Sequence, residues 1–293
     1  MLCRTGRNAC ATSHATCARG MGGNVPRLIA YGRVSPSGLF SWAPGKSLHT
    51  SWDELDAGPV AEYGTPKLRA KYFFDAPFTK YGRMDPLCKV AVAAAQLAYK
   101  TSNDLAGFDR DEVAQVGGTM LGCLEVDAQF EATRRAGAPS PALFVYTLPS
   151  MFQGEIAIQF KLRGRCTLLS TGELSAMSAL GTGIRWIEKQ RAKHVLVIAA
   201  DAAGPAAAEL GPAFTPQSAA TAYLLTSADS GQPGRRLSDV QFNHDPGDAR
   251  VLERGVLKYG TSFVDTLEPL LVGTEKLRVH AAIGEQSVSF QID

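Results

Sequence analysis

The stretch RGRCTLLSTGELSAMSAL, residues 163–180, decides the reading of this chain. Leu168 and Leu169 end an apolar strand, and Ser170, Thr171 and Gly172 supply a tight turn of small residues. A helix of small residues is expected to begin at or just after Glu173. Strand, turn and helix N-terminus together form an elbow that presents one side chain at the positive end of the helix dipole, where a thiolate would be strongly favoured. Here that side chain is the carboxylate of Glu173. The dipole stabilises it too, but a carboxylate cannot form the thioester that a cysteine would. The site reads as built for catalysis and then disarmed, with Glu173 as an anion that caps the helix.

Working outward, apolar runs alternate with helical patterns. Residues 28–34, 113–118, 167–169, 195–200 and 219–226 read as strands, and 86–100, 121–136, 151–160 and 174–191 as helices. That alternation predicts a mixed sheet covered by helices on both faces. Ser, Asp, Gly, Gln and Pro cluster over 227–236 as a linker. Beyond it, 237–242 reads as a strand, 249–271 as one or two helices, and 277–282 with 287–292 as a terminal strand pair whose turn contains Gly284.

With 293 residues, 45% hydrophobic and 20% charged, the composition is that of a globular protein. A net charge of +2 points neither to nucleic acid nor to a membrane surface. No apolar stretch reaches the roughly 18 residues that span a bilayer, and a cytoplasmic location is expected. Cys3, Cys10 and Cys17 fall seven apart in a segment rich in Arg, Gly, Ala and Thr, without the closer pairs of a metal site. Residues 1–22 read as a disordered leader, or as residues upstream of a start at Met21. Cys88, Cys123 and Cys166 sit in apolar surroundings and read as small core residues. No metal site is expected.

The elbow resembles that of the β-ketoacyl-[acyl-carrier-protein] synthases, which reads roughly G-P-x-x-x-x-S/D-T-A-C. Gly164, Ser170 and Thr171 align with it without a gap, which puts Glu173 on the catalytic cysteine. Further pieces follow in the family's order. VPRLIAYGRVSPSG (25–38) is similar to the first strand and its turn, and KYGRMDPLCKVAVAAAQLAY (80–99) to the R-M-D segment. GGTMLGCLE (117–125) resembles the glycine-rich strand end, TLPSMFQGEIAI (147–158) the N-x-x-x-x-x-A-x-x-I-A helix, and VLVIAAD (195–201) the strand carrying A-G-x-x-E/D. The resemblance implies a thiolase-like layered α/β fold, with a complete N-terminal half (23–230) and an abbreviated C-terminal half (231–293). It implies no cofactor. By the same resemblance, dimer contacts map to 164–169, with Cys166 and Leu168, and to 146–152, with Tyr146, Met151 and Phe152; Met151 and Phe152 either line or block the partner's acyl tunnel or pack in the core of their own subunit.

Decarboxylative condensation needs a nucleophile, an oxyanion hole and supporting imidazoles. The family carries its histidines in segments reading approximately H-G-T-G-T and N-x-x-x-G-x-x-x-x-H, and neither occurs here. His14, His49, His194, His244 and His280 are the histidines of this chain, and each reads as a surface or satisfied strand residue, His194 at a surface turn. Basic residues Arg185, Lys189, Arg191 and Lys193 over 184–193 read either as a solvated basic helix end or as a surface for an acidic carrier protein. The resemblance therefore implies a non-catalytic, chain-length-factor-like subunit, most like those of aryl-polyene pathways, that pairs with an active synthase and an acyl carrier protein. Two other readings stay open: a malonyl-carrier-protein decarboxylase, and a homodimeric scaffold that binds acyl or carrier-protein ligands.

Overall fold

The computed structural model describes residues 24–102, 108–210, 217–243, 245, 247–252 and 264–293. The expected leader (1–22) and His244 lie outside them. The chain opens with β1 (Pro26–Ser35), β2 (Gly38–Ala43) and β3 (Lys46–Thr50), followed by α1 (Pro86–Thr101), β4 (Val113–Gly118), α2 (Leu124–Arg135), α3 (Pro141–Phe144) and α4 (Met151–Phe160). It continues through β5 (Cys166–Leu169), α5 (Ser175–Glu188), β6 (His194–Asp201), α6 (Pro205–Ala208) and β7 (Ala219–Ser227). The last part holds β8 (Arg235–Phe242), β9 (Arg250–Val251), α7 (Val264–Val272), β10 (Leu277–Ile283) and β11 (Gln286–Ile292).

The first sheet runs β5-β4-β6-β7-β1, with β4, β5 and β6 parallel and β7 antiparallel to both of its neighbours. The second runs β8-β11-β10-β9. β1 joins the two: Arg27 and Leu28 pair with β8, while Tyr31 to Ser35 pair with β2. Helix α1 covers the outer face of the first sheet. Asp85 caps it, accepting from Leu87 N at 3.0 Å and Cys88 N at 3.1 Å, and Pro86 occupies its first turn. Its approach to β1 is close enough that a Cβ on Gly32 would sit 2.3 Å from the Ala94 carbonyl oxygen.

Helix α5 lies between the sheets, and two of its glycines show this. A Cβ on Gly183 would meet Val197 of the first sheet at 2.5 Å, and one on Gly181 would meet Val240, Phe242 and Val288 of the second at 3.1 Å. Leu267, Leu270 and Leu271 of α7 belong to the same core as Leu180, Ile184, Val279 and Phe290. The second sheet turns Val279, Ala281, Val288 and Phe290 into this core. The residues alternating with them are polar: Arg278, His280, Ser287 and Ser289. Of these, His280, Ser287 and Ser289 are buried as well.

Several expectations need correction. The helix expected over 174–191 ends at Glu188, so Arg191 and Lys193 lie outside it. Residues 250–251, expected to be helical, pair as a strand with β10. The span 227–236 is not a plain linker, because Ser227 ends β7, Ala228–Ser230 form a 3-10 turn and β8 begins at Arg235. His194 is the first residue of β6 and is buried: its ring stacks on Phe108 at 4.0 Å, and Nδ1 lies 2.8 Å from Thr226 Oγ1. No helix among the described residues is long and apolar enough to cross a membrane.

Candidate functional site

The elbow stands where three parallel strands end. Between β5 and α5, Gly172–Leu174 form one 3-10 turn, with Gly172 in the left-handed region at φ 61°. Glu173 sits half-buried in this turn, two residues ahead of the first residue of α5. Ser175 organises the turn. Its Oγ accepts from Thr171 N at 3.0 Å and lies 3.0 Å from the Thr119 carbonyl oxygen and 2.5 Å from that of Gly172, so its single hydrogen serves one or the other. Thr171 Oγ1 reaches Ser178 Oγ at 3.0 Å. Ser170 is exposed at the end of β5.

Behind the turn, the ends of β4 and β6 are tied by a buried carboxylate. Asp201 Oδ1 accepts from Thr119 Oγ1 at 2.8 Å, Met120 N at 2.9 Å and Leu121 N at 2.8 Å. Gly118 lets α5 approach β4: a Cβ there would stand 2.4 Å from the Ser175 carbonyl oxygen. The sequence pattern places Asp201 at a strand end but says nothing of this bridge, which joins positions some 80 residues apart. Glu125 was missed as well. It is buried and accepts from Ala207 N at 2.7 Å and Ala206 N at 3.3 Å.

No described histidine faces the elbow. His49 is exposed on β3, and His194 begins β6 while Asp201, beside the elbow, ends it. Eight residues of strand separate those ends by roughly 23 Å. His280 is buried on β10, which lies against the elbow turn. Its neighbours Val279 and Ala281 point towards α5, so alternation sends the imidazole to the other face of the sheet. Four surface cavities of 450–570 Å³ are lined by residues other than Ser170, Thr171, Gly172 and Glu173.

The residues expected at a dimer contact divide into two groups. Cys166, expected in the core, is exposed, because β5 is an edge strand that among the described residues pairs with β4 alone. Leu168 is half-buried on the same strand and packs against the α1-side core. Phe152 is fully buried in its own subunit's core and Met151 packs partly against it, so neither is presented as a free surface side chain. Tyr146 is half-buried, and its hydroxyl donates to Glu155 Oε1 at 3.3 Å. Glu155 Oε2 pairs with Lys80 at 2.6 Å. Burial, with Glu155 close by, pushes the Tyr146 hydroxyl up to about 12. Around these positions Phe144, Val145, Leu148 and Ile158 are 52–67% exposed. The segment is fixed to the edge strand by Gln153, which donates to the Thr167 carbonyl at 2.8 Å.

Comparison with known proteins agrees with this geometry. The model of the β-ketoacyl synthase N-terminal domain matches residues 60–216, more than half of the chain. The tetracenomycin polyketide synthase ketoacyl synthase alpha subunit of Streptomyces glaucescens is 27% identical over 187 residues, covering 60% of this chain and 41% of that protein. The actinorhodin polyketide putative beta-ketoacyl synthase 1 of Streptomyces coelicolor is 25% identical over 201 residues, covering 62% and 40%. The matched stretch thus spans less than half of either relative. Among solved structures, the ishigamide ketosynthase/chain length factor superposes with a TM-score of 0.63 at 15% identity, covering 92% of this chain and 98% of that one. A ketosynthase in complex with its chain length factor from Xenorhabdus doucetiae gives 0.59 at 18% identity, covering 91% and 99%. These likenesses establish the thiolase-like layered fold, and with the matched domain they establish that the chain belongs to the β-ketoacyl synthase family.

Proposed function

We propose that this chain is a chain-length-factor-like subunit: a ketosynthase homologue that lacks a nucleophile, pairs with an active β-ketoacyl synthase and shapes the tunnel receiving carrier-bound acyl chains. The observation that carries the reading is Glu173, a carboxylate held by an otherwise intact elbow. The turn, the Ser175 contacts and the Asp201 bridge make a hydrogen-bonded strand–turn–helix elbow, and a carboxylate, not a thiol, stands on it. In this reading 23–230 and 231–293 act as the two halves of one subunit, and an aryl-polyene-type pathway is its setting.

The partner reading is supported by the edge. Among the described residues no strand pairs with the outer side of β5, and Phe144, Val145, Leu148 and Ile158 lie exposed on the adjoining segment. An open edge beside apolar surface calls for a covering chain. Two structural neighbours are complexes of a ketosynthase with a chain length factor or an acyl-carrier protein, which makes a catalytic synthase the natural occupant.

The test of the disarmed elbow is incubation with acyl-carrier substrates followed by intact-protein mass spectrometry. No acyl adduct is expected on this chain, and a stoichiometric adduct at Cys166 or in the elbow would overturn the reading. Glu173→Cys should yield a thiol that alkylates faster than Cys166 but no condensation product, since no imidazole of the described residues faces it.

A further inference from the structure

The loop from Thr65 to Ala70, the turn around Phe78 and Thr79, and the first turn of α1 enclose a cavity of about 470 Å³. Three cationic side chains line it, Lys67, Arg69 and Lys89, and no carboxylate does. Some other basic residues are paired with acids: Lys80 with Glu155, Lys100 with Asp75 and Lys193 with Glu112. Lys67, Arg69 and Lys89 take part in none of the ion pairs among the described residues.

Lys89 is half-buried, and its backbone is held by the Tyr81 hydroxyl, which donates to the Lys89 carbonyl at 3.0 Å. Burial lowers the Lys89 ammonium below the ordinary lysine range; nearby Asp85 opposes the shift and Lys67 adds to it by like-charge repulsion. Asp85 does not line the cavity, and both its oxygens already accept from the N-terminus of α1. Cations gathered in a concave space, with Lys89 half-buried, Lys67 and Arg69 exposed and no carboxylate in the lining, are an arrangement that an anion completes. Leu68 and Phe78 give the same cavity an apolar wall. Its volume lies within the roughly 300–1,000 Å³ of small-molecule sites.

We propose that this cavity binds a phosphate monoester carrying a short apolar group, with the phosphate among Lys67, Arg69 and Lys89 and the apolar part against Leu68 and Phe78. A dianionic phosphate matches three cationic donors better than a single carboxylate does. The cavity shares no residue with the elbow or with the β5 edge, so the inference does not rest on the function proposed above.

The test is calorimetric titration of the full chain at low ionic strength with hexyl phosphate, inorganic phosphate and hexanol. Hexyl phosphate should bind saturably with one site, inorganic phosphate more weakly, and hexanol not at all. Lys67→Gln and Lys89→Gln should each weaken hexyl phosphate by about tenfold, the loss of one charge-assisted contact. Lys89→Arg should stay within about threefold of the parent, since it keeps the charge. Neither glutamine variant should lower the thermal midpoint of the free protein, because each relieves repulsion. Absence of saturable binding up to about 10 mM would overturn the proposal. So would binding that both glutamine variants leave unchanged, which would place the phosphate elsewhere. Equal affinity for inorganic and hexyl phosphate would refute the apolar half of the assignment.

Discussion

Gly118 and Gly172 stand at the elbow and Gly154 inside α4, and the structure assigns a different consequence to adding one methyl group at each. At Gly118 a Cβ would meet the Ser175 carbonyl oxygen at 2.4 Å, its carbon at 2.9 Å and Ala179 Cβ at 3.0 Å. The first two atoms are backbone and cannot rotate away, so β4 and α5 must separate by several tenths of an ångström. Overpacking of this kind costs about 1–3 kcal/mol and sometimes more, and a backbone obstacle puts Gly118→Ala at about 3 kcal/mol. At Gly172 there is open space, but φ is 61°, so alanine meets only left-handed strain of about 1 kcal/mol. Gly154 is inside α4 with nothing within 4 Å of its Cβ. Gly154→Ala should therefore stabilise by about 0.5–1 kcal/mol through helix propensity. Urea unfolding of the three variants, read by far-ultraviolet circular dichroism, measures the order directly. A Gly118→Ala variant within about 1 kcal/mol of the parent, or one less affected than Gly172→Ala, would refute the close strand–helix contact on which the elbow geometry rests.

Asp201→Ala should destabilise by about 2–5 kcal/mol, because Met120 N and Leu121 N lose their acceptor in a buried setting; Asp201→Asn, which keeps one oxygen, should cost distinctly less in the same urea assay. His194 is buried, and burial lowers its pKa below 6.5 despite the opposing pull of Glu112. The unfolded chain therefore binds more protons between the folded pKa and 6.5, so stability should fall as pH drops through that window, and His194→Phe should flatten the slope. Leu148 and Ile158 are 60% and 67% exposed. Burying the exposed parts at an interface is worth about 2–4 kcal/mol together, so the double lysine variant should weaken association about 30-fold or more in sedimentation.

Where local pattern decides an element, the sequence was sufficient. The runs 113–118 and 151–160 are β4 and α4 to the residue, since apolar residues and glycines bound each one. The elbow turn was legible too, because Ser170, Thr171 and Gly172 are small residues between an apolar strand and a helical pattern. The β2–β3 hairpin was overlooked although Pro44 and Gly45 mark its turn between alternating residues. Cys166 and His194 were misplaced for a different reason: an apolar neighbourhood in sequence does not reveal whether a strand is at an edge or in the middle. β5 turned out to be an edge and exposes Cys166, whereas β6 is central, with Phe108 and Thr226 closing over His194. The Asp201 bridge joins positions 80 and 81 residues apart, which no local signal announces, and the Lys67, Arg69 and Lys89 cavity needs a loop folded back on the first turn of α1, which the pattern of α1 does not specify.

The central claim is that Glu173 marks a subunit made to pair with an active synthase. A direct test co-expresses the full chain with a β-ketoacyl synthase that carries the cysteine elbow and both histidines and measures the mass of the product by sedimentation. Obligate interfaces of this kind usually exceed about 2,000 Å². The account predicts a stoichiometric heterodimer that persists at micromolar concentration, with this chain self-associating when expressed alone. A well-dispersed monomer that ignores the synthase would contradict it.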